Sequence, residues 1–395
     1  MAWEVTSRMN QVSRFVLEWE ARLESRVALC KRYGIVPKTG YALMKRYSLL
    51  GEAALVPRPP IARSHPNRTS DEVRELIIAF KHTHPSWGPR KIKFGLEAAH
   101  PDLKIPAAST IGTLLDRNGL VTKRKRSRKL TSSSGSAPVV EAANDCWNAD
   151  FKGEYRLGDG TLCYTLTVTD TFSRAILCCK ALPSTSSKPV REEFERIFKR
   201  FGLPRTIRTD NGPPFAAVAA GGISPLSAWW LKLGIQPHRI EPGRPQQNGA
   251  HERMHRVLKA ECTRPAAKSM RSHQRQLDAW MREYNELRPH EALGMRTPGS
   301  LYECSPRKYS AKVAEPEYPP TWPQRSVRTA GEIKWSGCLY FISGSVRGER
   351  VGLEPLSDGR VQVWFCSLPL GVISTSAELF FPHGTTAPAR RGIRY

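Results

Sequence analysis

The sequence predicts a multidomain protein: an all-α N-terminal part made of helix-turn-helix units, a central α/β core with a mixed sheet, and a small all-β barrel at the C-terminus. Three observations predict it. Apolar residues recur at helical spacing up to about residue 120, switch to strand-like alternation near residue 145, and return after residue 325 in short runs separated by Gly337, Gly348, Gly359 and Gly371. A basic, serine-rich tract separates the first part from the second, and a proline-rich tract separates the second from the third. The division that follows is residues 1–55 and 69–122 as two helix-turn-helix units joined by a linker at 56–68, a basic flexible linker at 123–140, the core at 141–297, a linker at 298–325, the barrel at 326–382 and a disordered basic tail at 383–395.

The balance of charge points to a partner. Lys and Arg number 61 against 36 Asp and Glu, a formal net charge of +25. Such an excess favours polyanions through counterion release, so binding weakens with salt. The nine cysteines show no metal-ligand spacing, and Cys178-Cys179 sit in a strand where neighbours point to opposite faces. Free thiols, no signal-peptide pattern and no long apolar run exclude a disulfide scaffold and a membrane span, and place the protein inside the cell with access to DNA.

In the first unit, a helix at 26–33 leads through Gly34-Ile35 to a second helix opened by Pro37. As a helix-turn-helix, its second helix enters the major groove, with Lys38, Thr39 and Tyr41 near the bases and Lys45 and Arg46 near phosphate. An ordinary αα-hairpin with a solvated basic face fits the same pattern. The second unit opens on Thr69-Ser70-Asp71-Glu72, a helix-start signature, and ends in a helix beginning at Pro106. Ser109, Thr110 and Arg117 are its candidate contacts. Lys123, Arg124, Lys125 and Arg126 begin a run with six basic residues in seven, which reads as a tether that also tracks phosphate.

In the core, strand-like runs at 147–155 and 161–169 flank the hairpin signal Leu157-Gly158-Asp159-Gly160. A third strand spans 175–182 and a short fourth 205–209, with helices at 189–201, 226–233, 248–261 and 271–287. Three acidic residues stand out. Asp150 lies in Asn148-Ala149-Asp150-Phe151, Asp210 ends a strand in Arg208-Thr209-Asp210-Asn211-Gly212, and Glu252 follows Gln246-Gln247-Asn248-Gly249-Ala250-His251 at a helix start. Three carboxylates on separate rigid elements can hold two divalent metals about 3.5–4 Å apart, an arrangement used for in-line phosphoryl transfer. A helical wheel centred on Glu252 places Asn248, His255, Arg256 and Lys259 on its side, as cations and an amide for phosphate, with Met254, Val257 and Leu258 opposite. Asp170 is a rival acid, read instead as the turn between the second and third strands, paired with Arg174.

Together, Asn148-Ala149-Asp150, the stretch from Arg208 to Phe215, the stretch from Pro242 to Arg253 and Tyr284-Asn285-Glu286-Leu287-Arg288-Pro289-His290 resemble the catalytic core of the retroviral integrase superfamily. The likeness is greatest to single-frame insertion-sequence transposases of bacteria, and it extends from about residue 10 to 375. The resemblance implies an RNase H-like core with a mixed five-stranded sheet and a catalytic triad of Asp150, Asp210 and Glu252. The triad would bind two Mg²⁺ ions, with Mn²⁺ as a substitute. One ion would activate the attacking water or 3′-OH and the other would stabilise the leaving 3′ oxygen. It also implies double-stranded DNA partners, namely terminal inverted repeats and target DNA, and a homo-oligomeric synaptic complex without membrane association.

Two features depart from the family pattern. Asp210 and Glu252 are separated by 41 residues, longer than usual, with the excess assigned to an apolar, glycine-rich surface loop at 216–224. The zinc-binding His/Cys module of retroviral integrases is absent, and helix-turn-helix units stand in its place. A DNA-binding repressor with an inert core and an RNase H-type nuclease that cuts without joining are the competing readings. The intact triad opposes the first and the paired helix-turn-helix units oppose the second.

Overall fold

The computed structural model describes residues 8–56, 68–121, 140–217, 219–241, 248–384 and 389–394. The predicted contacts Lys123, Arg124, Lys125 and Arg126 lie outside the described residues, as does most of the 56–68 linker. The chain divides into two compact units, Met1–Thr69 and Ser70–Tyr395.

The first unit contains α1 (Arg8–Ala21), α2 (Arg26–Arg32) and α3 (Pro37–Leu50). Ser25 caps α2 through its side chain, and Pro37 opens α3 where its missing N–H costs nothing. Phe15, Trp19, Leu29 and Cys30 form the core. Gly40 makes that core possible, because a Cβ there would lie 2.6 Å from Cys30 Sγ. The exposed face of α3 carries Lys38, Thr39, Tyr41 and Lys45. Arg46 differs from expectation: it is half-buried and donates to the Ala54 carbonyl at 2.6 Å, so it ties down the end of its own unit.

The second unit begins with α4 (Asp71–Thr83), α5 (Pro89–Ala99) and α6 (Ala108–Arg117) around Val73, Ile77, Trp87, Ile92, Leu96, Ile111 and Leu115. Ser109, Thr110 and Arg117 are exposed on α6. The α/β core follows, with β1 (Cys146–Arg156), β2 (Leu162–Asp170), β3 (Ile176–Leu182), α7 (Ser187–Phe201), β4 (Thr206–Thr209), α8 (Pro225–Lys232), β5 (Gln236–Arg239), α9 (Gly249–Cys262) and α10 (Met270–Arg282). The five strands form one mixed sheet in the order β3-β2-β1-β4-β5, antiparallel across β1, β2 and β3 and parallel across β1, β4 and β5.

Strand alternation divides the sheet chemically. Trp147, Ala149 and Val168 point into one apolar layer with Phe194, Phe198 and Trp230 of α7 and α8. Cys163 and Cys179 point to the other, with Met254, Leu258, Leu277 and Trp280 of α9 and α10. Cys178 and Cys179 lie in opposite layers, as expected. The same alternation puts Asn148 and Asp150 on the α9 side of β1.

Beyond the core come β6 (Gln324–Ser326), β7 (Glu332–Trp335), β8 (Cys338–Phe341), β9 (Arg350–Pro355), β10 (Val361–Phe365), β11 (Leu368–Ser374), β12 (Leu379–Pro382), β13 (Arg390–Arg391) and β14 (Ile393–Arg394). They pair as two sheets, β13-β12-β11-β10-β9-β6 and β14-β8-β7, rather than as one closed barrel. The domain is all-β, as predicted, and its strand pairings are antiparallel.

Three segments differ from expectation, the first two because apolar surface found a partner and the third because its backbone joined the sheets. Of the predicted surface loop at 216–224, the stretch 219–224 is packed instead: Ala220 and Ile223 lie with Leu370 and Phe380 of the β-domain, and Gly221 N donates to the His383 carbonyl at 2.8 Å. Part of the 298–325 linker clasps the core, where Ser305 N bonds to the Phe201 carbonyl and Tyr309 lies against Phe198 and Trp229. The described part of the 383–395 tail is ordered by pairing, Arg390–Arg391 with β12 and Ile393–Arg394 with β8.

Candidate active site

The parallel pairing of β1 and β4 sets the site. Ala149 is in register with Thr209, so the next residues, Asp150 and Asp210, emerge side by side from adjacent strands. Asp210 is exposed, and its Oδ1 accepts the Gly212 amide at 3.2 Å. Asn211 Nδ2 donates to the Ile240 carbonyl at 2.9 Å, which ties this turn to the end of β5. A Cβ on Gly212 would sit 3.2 Å from Asp210 Oδ2, so the residue keeps space open around that carboxylate. Glu252 stands exposed in the first turn of α9.

The three acids interact. Asp150 is pushed up to about 7, first by burial, then by the charge of Asp210, with Glu252 adding to the same effect. Lys152, two residues along β1, opposes it. Lys152 is itself lowered by burial and by Lys259 of α9, so cations gather beside the acids. The sequence reading missed Lys152; its signal was strand alternation, which puts it on the same face as Asp150.

Asp150 also borders two buried histidines. One ligand-capable atom from each of Asp150, His251 and His255 lies within 4.8 Å of the others. His251 has both ring nitrogens engaged, with Thr167 Oγ1 at 2.8 Å and Thr169 Oγ1 at 2.9 Å. His255 Nε2 meets the same Thr167 hydroxyl at 2.7 Å, and its Nδ1 lies 3.8 Å from Asp150 Oδ2. Burial lowers His251 to about 3 and His255 to about 2, so both rings are neutral at pH 7. They join α9 to β2 and set the helix at a fixed rotation behind Asp150.

That rotation corrects two expectations. His255 does not share the solvent face of Glu252; it turns into the sheet with His251, Met254 and Leu258. Asn248 is 8% exposed and also turned inward, which does not suit a groove contact. Arg256 and Lys259 are exposed on the helix that carries Glu252. Asp170 is structural: its carboxylate accepts the Asn144 amide, the Ser173 amide and the Ser173 hydroxyl at 2.7–2.8 Å. It forms no ion pair with Arg174.

Comparison with known proteins adds independent evidence. Residues 140–245 and 233–298 match the integrase core domain, and residues 39–115 match a homeodomain-like domain. The chain carries an integrase core domain behind a homeodomain-like domain, and it is similar to proteins of bacterial insertion elements. It is 27% identical over 256 residues to a 39.2 kDa protein of insertion element IS476 from Xanthomonas euvesicatoria, covering 64% of this chain and 71% of that protein. It is 26% identical over 240 residues to a 31.7 kDa protein of insertion element IS407 from Burkholderia multivorans, covering 60% and 82%. Among solved structures it is similar to a chain of the simian T-cell lymphotropic virus intasome, at 18% identity and a TM-score of 0.37, covering 74% of this chain and 97% of that one. With an integrase core domain the chain is a polynucleotidyl transferase, its activity is of the DNA-integration type, and its partner is DNA. No helix among the described residues is long and apolar enough to cross a membrane.

Proposed function

We propose that the chain binds the terminal inverted repeats of its own insertion sequence and catalyses 3′-end cleavage followed by strand transfer, with Asp150, Asp210 and Glu252 as metal-binding catalytic residues. The observation that carries this reading is the β1–β4 register, which sets Asp150 and Asp210 side by side on adjacent strands, with Glu252 in the first turn of the helix packed behind Asp150. Carboxylates held on such rigid elements are a fitting donor set for hard divalent cations, two Mg²⁺ or Mn²⁺ ions. Metal held there would supply Lewis-acid activation of the attacking oxygen and charge stabilisation for the leaving one.

The residues of the chain do the rest. Asp150 and Asp210 approach from two paired strands and Glu252 from a helix fixed by the His251 and His255 contacts, so the acids are held before DNA arrives. Arg256 and Lys259 face solvent on that helix and are placed to neutralise phosphate. In cleavage, a water oxygen bonds to phosphorus as the P–O3′ bond breaks, leaving a 3′-OH. In transfer, that 3′-OH bonds to a target phosphorus and displaces the target 3′ oxygen. The exposed faces of α3 and α6 offer Lys38, Thr39, Tyr41, Lys45, Ser109, Thr110 and Arg117 for repeat recognition. Two element ends must be held together, so the working form is a homo-oligomer at the bacterial nucleoid.

The test is a strand-transfer assay with a pre-cleaved terminal-repeat oligonucleotide and Mg²⁺ or Mn²⁺. Joined products are expected. Cutting without joining would make the protein a nuclease, and tight binding with neither would make it a repressor.

A further inference from the structure

A second charged site lies on another side of α9. A cavity of about 390 Å³ opens between the start of α5, the ends of β1 and β2, α9 and the turn after Arg288. Cations converge on it from separate elements: Lys91 of α5, Arg174 of the β2–β3 turn, Arg253 and Arg256 of α9, the latter at the edge towards Glu252, and Arg288. None of Asp150, Asp210 and Glu252 lines it.

The nearby carboxylates are already engaged. Asp170 is bonded to Asn144 and Ser173, Glu291 pairs with Arg90 at 3.1 Å, and Glu261 holds Arg288 at 2.6 Å. Lys91, Arg174 and Arg253 form no ion pair among the described residues. Burial and Arg288 lower Lys91 to about 8 against the opposing pull of Glu291 and Glu261, and burial and Arg253 lower Arg174. A solvated basic face would show extended cations screened by water, not half-buried ones in mutual conflict.

Two deeply buried side chains on the cavity wall are incomplete. Asn148, 4% exposed, has no partner for Oδ1, and Arg288, 3% exposed, has none for Nε. Rotating the Asn148 amide by half a turn would present its donor there instead. Unpaired polar atoms at such burial call for a partner from outside the fold. Arginine forks and a lysine ammonium converging from four elements suit a tetrahedral oxyanion with several acceptor oxygens.

We propose that this cavity binds a phosphate group supplied by the DNA backbone. The choice of DNA rests on the function proposed above, whereas the choice of phosphate rests on the cavity itself. The site lies between the helical unit that presents α6 and the helix that carries Glu252. A strand running from one to the other would place a phosphate here, anchoring the duplex at a point where the protein reads no base.

The test compares the full chain with Lys91→Met/Arg174→Met, and with Arg253→Gln, an exposed position, in case the double variant does not fold. Two quantities are measured: the melting temperature in inorganic phosphate against chloride at equal ionic strength, and the slope of log affinity for duplex DNA against log salt. Phosphate is expected to raise the melting temperature of the full chain and to leave the variants unmoved. The DNA slope is expected to fall by about 0.9, since the variants neutralise one phosphate fewer. A phosphate response that disappears without any change in DNA slope would leave the site standing but overturn DNA as its source. Equal phosphate responses and equal slopes in full chain and variants would overturn the proposal. If the full chain binds no DNA at all, the functional reading fails, and the phosphate response still decides the cavity.

Discussion

The α9 helix separates two sites of opposite charge that obey the same rule. On one side Asp150 stands beside Asp210 on the next strand with Glu252 on α9, and burial and the charge of Asp210 raise Asp150 to about 7. On the other, Lys91 is lowered to about 8 beside Arg288, and Arg174 is lowered beside Arg253. Each set consists of like charges held near one another on rigid elements and only partly compensated, by Lys152 on the acid side and by Glu261 and Glu291 on the other. The difference lies in what each would accept: the acids suit a metal ion, the cations a phosphate. Unsatisfied like charge is destabilising unless something binds, so each cluster is better explained by a ligand than by stability.

The largest effect should come from the acid side. Asp210→Asn keeps the size of the side chain and removes its charge, so strand transfer should fall by about three orders of magnitude or more. DNA affinity should stay within a few fold, because the phosphate contacts are elsewhere. Parallel loss of both in a binding and joining assay would show that Asp210 serves the fold or the DNA contact, not the chemistry. Removing residues 1–69, the first compact unit, should act next most strongly and differently: metal-dependent cutting persists, while preference for terminal repeats over random duplex drops by about tenfold or more. Preference that survives this deletion would move repeat recognition to α6 alone.

How far the sequence foretold this arrangement depends on whether the signal was local. Strand alternation located β1, β2 and β3 within a residue or two, because each has one face in an apolar layer. That Asp150 and Asp210 sit on neighbouring strands was legible because each ends a short motif at a strand. His255 was not, because a helical wheel gives angles between residues but not which angle meets the sheet. That is fixed by the hydroxyls of Thr167 and Thr169, more than eighty residues away. The 219–224 stretch was misread for the converse reason: its apolar, glycine-rich composition fits a loop until the β-domain is seen to cover it. The cation cavity was invisible in the sequence, since Lys91, Arg174, Arg253 and Arg288 share no motif or spacing.

The acid cluster and its histidine neighbours also make opposing demands on stability, which pH can separate. Asp150 has a raised folded pKa, so its contribution is fully present below about 4 and is lost as pH rises towards 7. His251 and His255 have lowered folded values, so theirs is present above about 6.5 and lost as pH falls. Between pH 4.5 and 6 each group changes stability by about 1.4 kcal/mol per unit. The histidines and Asp150 therefore act in opposite directions on acidification. In metal-free Asp150→Asn the opposing contribution is gone, and stability should fall more steeply as pH drops, by about 1 kcal/mol per unit more than in the unsubstituted chain. Denaturant unfolding at several pH values measures it, and an unchanged slope would mean that Asp150 is not held protonated by its neighbours.

The smallest effects should sharpen the distinction between cations left for a ligand and cations used by the fold. Lys45 and Arg46 are adjacent on α3 and look equivalent in sequence. Lys45 is exposed, whereas Arg46 is bonded to the Ala54 carbonyl. If α3 contacts DNA, Lys45→Gln should lower the salt slope of binding by about 0.9, the effect of neutralising one phosphate fewer, with stability unchanged. Arg46→Gln should do the reverse, costing about 1 kcal/mol of stability and leaving the slope alone. Equal slope changes from the two substitutions would mean that Arg46 leaves Ala54 when DNA binds. The line between structural and ligand-directed cations would then depend on the bound state and not on the folded chain alone.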